Sequence, residues 1–103
     1  MNEEKRQRLQ AAGWSIGNTW DFLGLTSAET DFIELKLALA RRLKQLRLSH
    51  QLSQTALAKR MNSSQSRVAK MEAGDPSVSV DLLICGLLAA GATRREVGEI
   101  IIG

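Results

Sequence analysis

The chain of 103 residues predicts an all-α fold, and three observations carry that expectation. Hydrophobic residues make up 44% of it but aromatic residues only 4%, with no Tyr, so Leu, Ile, Val, Met and Ala must build the core. One proline, abundant Ala and Leu, and few β-branched runs favour helices over strands. Two capping boxes, Thr26-Ser27-Ala28-Glu29 and Thr93-Arg94-Arg95-Glu96, mark helix starts. The length suits a single domain. The expected architecture is a compact helical bundle, residues 31–103, behind an N-terminal helical extension, residues 1–30.

Each element has a local reason. Residues 2–12 form a charged amphipathic pattern that Gly13 can close as a C-cap. Trp14, Trp20, Phe22 and Leu23 then give the extension apolar surface to bury, punctuated by Gly17, Asn18 and Gly24. From Thr26 a long helix is expected to run to about Ser49, roughly 33 Å at the usual rise. Phe32, Leu35, Leu39, Leu43 and Leu46 form one apolar stripe on it, and Ile33, Leu37, Ala40 and Leu48 form a second. Two short helices are expected next, Gln54 to Met61 and one opening at Ser64 and closing near Gly74-Asp75-Pro76. Ser79 can cap a helix from Val80 to Ala90, which Gly91 stops, and Thr93 starts a final helix through Ile101.

Composition also bounds the chemistry. Cys85 is the one cysteine, so no intramolecular disulfide forms, and its apolar neighbours suit a buried, inert thiol. His50 is the one histidine, which leaves a metal cluster or a His-based triad without a second member. No cofactor is expected. The start Met1-Asn2-Glu3-Glu4-Lys5-Arg6 leads into no signal-peptide core, and the apolar run Leu82–Ala90 is too short to span a bilayer. A cytoplasmic protein without membrane contact is the expectation. Asp31 with Glu34, and Glu96 with Glu99, lie one helical turn apart, but such pairs on helices are usually solvated faces. With no phosphate loop and no nucleophile elbow, an enzyme is not expected.

Charge is distributed unevenly. Lys36 through Met71 holds nine Lys or Arg and no Asp or Glu. Residues 1–35 carry three basic and six acidic side chains, and residues 72–103 carry two and five. A basic middle between acidic ends is the footprint of a polyanion-binding face.

That basic span contains a helix-turn-helix pattern over residues 54–72. Ala56, Leu57 and Met61 are expected to face inward, and small Ala58 lets the two helices cross closely. Asn62 sits at the reversal, where Asn tolerates the left-handed conformation. Ser64 can cap the second helix, and Val68 and Met71 return it to the core. Gln65, Ser66, Arg67, Ala69 and Lys70 then remain outward. Gln pairs bidentately with adenine, Arg and Lys donate to guanine or phosphate, Ser adapts to either, and Ala69 suits a thymine methyl. Candidate base readers are therefore Gln65, Ser66, Ala69 and Lys70. Candidate backbone contacts are Ser53, Gln54, Ser64 and Arg67, with Arg47 beside them, and Ala58, Asn62, Val68 and Glu72 support the motif.

Residues 36–91 resemble the Cro/CI-type (XRE) helix-turn-helix family, the fold of lambdoid phage repressors. The resemblance rests on Leu52-Ser53-Gln54, Leu57-Ala58, Met61-Asn62, Ser64-Gln65, Val68, Met71-Glu72, Gly74 and Pro76-Ser77. It implies a lambda-repressor-like domain in which Gln65, Ser66 and Lys70 face base edges. It also implies that Gln54 supports the second motif helix and touches backbone, and that Arg47 pairs with Glu72. Asn62 stands where the family usually has Gly. The extension, with Trp20-Asp21-Phe22-Leu23-Gly24-Leu25, is similar to small antitoxins of the HigA type, which implies a RelE-like toxin partner and autorepression. The leading expectation is a homodimeric transcriptional repressor that binds double-stranded DNA at a two-fold symmetric operator. The alternative is such an antitoxin. The dimer surface falls either on the last helix, with Ile100 and Ile101, or on the Ile33–Leu37 stripe.

Overall fold

The computed structural model describes residues 26–103, and the expectations for Gly13, the two Trp residues and Phe22 lie outside them. Leu35–Gly103 forms one compact unit, and Met1–Glu34 belongs to another. Five helices follow in order: α1 (Ser27–Ser49), α2 (Gln54–Arg60), α3 (Gln65–Glu72), α4 (Val80–Ala89) and α5 (Arg94–Ile102). The fold is all-α.

Caps set the helix starts. Glu29 N–H donates to Thr26 Oγ1 at 3.1 Å and Thr26 N–H donates back to Glu29 Oε1 at 2.9 Å, the reciprocal box that satisfies two end donors of α1. Ser53, Ser64 and Ser79 accept from Ala56, Arg67 and Leu82 N–H at the starts of α2, α3 and α4. Thr93 and Glu96 form the second complete box at α5. Asn62 turns the chain between α2 and α3 at φ 56°, and Gly74 ends α3 at φ 72°, where a Cβ would stand 2.8 Å from Leu37 Cδ2.

The core of the unit is aliphatic: Leu39 and Leu43 of α1, Leu57 of α2, Val68 and Met71 of α3, and Leu83 and Leu87 of α4 are fully buried. Gly86 allows α4 to approach α1 and α3, since a Cβ there would lie 2.5 Å from Met71 Cε and 3.3 Å from Leu43 Cδ2.

On α1 the buried residues are Leu39, Ala40, Leu43 and Arg47, while Leu48 of the second stripe is 55% exposed and Phe32 of the first is 53% exposed. One expectation needs correction. Cys85 is exposed rather than buried. The inward residues of α4 are Leu83, Gly86 and Leu87, and Cys85 falls off that line. A helix apolar on every side, such as Leu82–Ala90, shows no periodicity from which its inner face can be read.

Candidate nucleic-acid interface

The site is built outward from an ion pair. Arg47, 7% exposed, directs Nε to Glu72 Oε2 and Nη2 to Glu72 Oε1 at 3.0 Å, while Nη1 donates to Leu52 O at 2.7 Å. These bonds link the end of α1, the loop before α2 and the last residue of α3. The hydrogen bonds to Glu72 raise the Arg47 pKa above its ordinary value, outweighing the opposing effect of burial. Glu72 then reaches the surface through amides. Gln54 Nε2 donates to Glu72 Oε1 at 3.2 Å, and Gln65 Nε2 donates to Gln54 Oε1 at 2.6 Å.

The residues singled out from sequence take the following places. Ala58 is 3% exposed and Val68 fully buried, so α2 and α3 meet closely through small and β-branched side chains. Gln65, Ser66, Arg67 and Lys70 are exposed along α3, and Ala69 is half-buried. Ser53 and Ser64 are exposed with their hydroxyls engaged as caps, and Ser64 Oγ also lies 3.3 Å from Ser66 Oγ. Gln54 is half-buried between Glu72 and Gln65. Arg47 is placed apart from this surface: all three of its guanidinium nitrogens point at protein acceptors, so it is not retained among the candidate phosphate contacts.

Lys36 donates to Pro76 O at 3.1 Å and Arg60 to Ala89 O at 3.2 Å, both on backbone carbonyls. Arg41, Arg42, Lys44, Lys59, Arg67 and Lys70 are exposed and have no side-chain hydrogen bond or ion pair among the described residues. Of these, Arg67 and Lys70 sit on the face that also carries Gln65 and Ser66, and the charge of Lys70 also acts on Asp75.

Beside that face runs an open cleft of about 570 Å³. Ser64, Ser66, Arg67 and Lys70 form one wall, and Ser77, Val78, Ser79, Asp81, Leu82 and Cys85 form the other. The loop before the second wall is held by Asp75, which accepts from Ser77 Oγ at 2.6 Å and Ser77 N–H at 2.8 Å. Those bonds, the hydroxyl first, lower the Asp75 pKa below its ordinary value. Sequence reasoning missed the second wall. The cue was present only as two serines flanking Val78, a pattern common in any loop.

A short helix presenting polar and basic groups, braced by a second helix across a tight turn, defines the helix-turn-helix class of DNA-binding proteins. The helix-turn-helix family model matches residues 43–84, which span α2, α3 and their flanks. Residues 43–84 therefore carry a helix-turn-helix, and that match supports a DNA-binding transcriptional regulator. No curated protein and no solved structure matches it.

Proposed function

We propose that the protein is a dimeric repressor whose α3 enters the major groove and reads a two-fold symmetric operator through residues 64–70. The observation that carries this reading is the outward face of α3. Gln65, Ser66, Arg67 and Lys70 are exposed together there, and neither cation has a side-chain hydrogen bond or ion pair among the described residues. Gln65, Ser66, Ala69 and Lys70 are the proposed base readers, and Ser53, Gln54, Ser64 and Arg67 the proposed backbone contacts. Ala58, Asn62, Val68 and Glu72 hold the motif in shape.

Pairing of two copies is supported by Ile101 and Ile102, which are 48% and 85% exposed at the end of α5. Two such readers on one DNA face require half-sites about one helical turn, roughly 34 Å, apart. Selection of bound fragments from genomic DNA tests the reading directly. Recovery of inverted repeats at that spacing is the expected result, and recovery of fragments without a shared site is the result that overturns it.

Residues 1–30 act, on this proposal, as a separate arm ahead of the DNA-binding domain at 31–103. The antitoxin alternative rests on residues 13–25, outside the described residues. Co-purification of the full chain with a small basic RelE-like protein would favour it.

A further inference from the structure

On its outer face α1 sets leucines beside cations that have no partner among the described residues. We propose that this face, from Leu37 to Leu48, docks an acidic, apolar helix of another protein.

Leu37, Arg41, Lys44 and Leu48 follow one another at steps of four, three and four residues, the spacing by which one helix lays a seam against another. The seam is roughly 16 Å long at the usual rise, about three turns of helix. Leu37 closes one end, half-buried against the Gly74 turn, where a Cβ on the glycine would stand 2.8 Å from its Cδ2. Leu48 closes the other end and is 55% exposed. Arg41 and Lys44 lie between them, both exposed and without a side-chain hydrogen bond or ion pair among the described residues. No acidic residue stands between Leu37 and Leu48 to neutralise them.

Chemistry selects the occupant. A phosphate backbone would use the cations and leave both leucines in water, so DNA is a poor match. A second copy is a worse one. Two copies of α1 crossing antiparallel about the middle of the seam bring Arg41 of each opposite Lys44 of the other, and parallel copies set each cation against its own kind. A helix with leucines opposite Leu37 and Leu48 and carboxylates opposite Arg41 and Lys44 satisfies all four positions. The guanidinium of Arg41 can then donate two parallel hydrogen bonds to one carboxylate. A small basic toxin, the partner in the antitoxin alternative, meets its own sign here and needs another surface.

The probe is a fluorescent helical peptide of about 20 residues, with Leu, Glu, Glu and Leu at the same spacing and Ala and Gln elsewhere. The full chain should bind it, and a peptide with Lys in place of both Glu should bind about ten-fold more weakly or worse. That comparison needs no variant to fold. Arg41→Glu combined with Lys44→Glu should reverse the preference by a similar factor, and Leu48→Ser should weaken binding while keeping the preference. Equal affinity for the two peptides, no binding of either, or a preference that the charge-reversed chain retains overturns the proposal. Arg41→Ala combined with Lys44→Ala should keep the wild-type slope of log DNA affinity against log salt; a slope reduced by about 2 would make the face a phosphate contact instead. Sedimentation should find the charge-reversed chain in the oligomeric state of the wild type, and a change of state would assign the face to a second copy. In cells, a photo-crosslinking residue in place of Gln45, exposed beside the seam, should join the chain to a segment rich in Glu, Asp and Leu, but not in the charge-reversed chain. A conjugate with residues 1–25, or none, overturns the proposal.

Discussion

Arg47 and Asn62 show how single side chains hold the reading helix in place. Arg47 is a buried charge made tolerable by Glu72 and by Leu52 O, and removing one partner leaves the other desolvated and unmatched. Arg47→Met should therefore cost about 3 kcal/mol or more, measured by urea unfolding. Because its guanidinium faces the interior, the variant, while folded, should keep the wild-type salt dependence of DNA binding; a shallower slope would return Arg47 to the phosphate contacts. Asn62 occupies the left-handed region at φ 56°, where a Cβ costs roughly 1–2 kcal/mol that Gly avoids and Asn partly recovers. Asn62→Ala should lose about 1 kcal/mol and Asn62→Gly should match or exceed the wild type. Reversal of that order would remove backbone conformation as the reason for Asn there. The turn residue was legible in the sequence because Asn announces a turn. The burial of Arg47 was legible only through resemblance, since a stripe read from apolar residues passes over an arginine.

At the level of elements, the caps were the clearest signals in the sequence. Each is a local bond between residues three apart, and local geometry needs no knowledge of the fold. Thr26, Ser64, Ser79 and Thr93, the four residues expected to open helices, do so with their hydroxyls, and Ser53 adds a cap that sequence reasoning missed. The faces of α1 and α4 were less legible: inward orientation depends on which helix lies opposite, and neither an extended apolar pattern nor a uniformly apolar one encodes that. The α5 box also carries a pH dependence. Hydrogen bonds from Thr93, the backbone N–H first, lower the Glu96 pKa below its ordinary value. A carboxylate depressed in the folded state stabilises fully above its unfolded value of about 4.3, and that contribution is lost as pH falls through the lower folded value. Acid unfolding of Glu96→Gln, which keeps the acceptor but not the charge, should therefore start from lower stability at neutral pH and decline less below about pH 4. Parallel pH curves for the two proteins would remove Glu96 from the acid response.

At the level of the whole molecule, net charge describes DNA affinity poorly. The basic span from Lys36 to Met71 looked uniform in sequence, yet Lys36, Arg47 and Arg60 are hydrogen-bonded within the protein while Arg41, Arg42, Lys44, Lys59, Arg67 and Lys70 are not. Only cations that meet phosphates release counterions. Arg67→Ala should reduce the slope of log affinity against log salt by about 1 if it meets one phosphate, whereas Arg60→Ala should leave the slope unchanged. Equal slopes for all three proteins would take Arg67 off the backbone. The length of α3 has a broader consequence. Eight residues are too few for a helix to persist alone in water, where about 12–15 are needed even for favourable sequences. A synthetic peptide copying residues 62–76 would be a disordered chain with no operator affinity. The reader exists only while the domain is folded, so occupancy of the operator scales with the folded fraction, and operator DNA in turn raises the melting temperature. On the function proposed above, warming the protein past its melting point releases the gene beneath it abruptly, which makes the stability of its small aliphatic core a setting of gene expression.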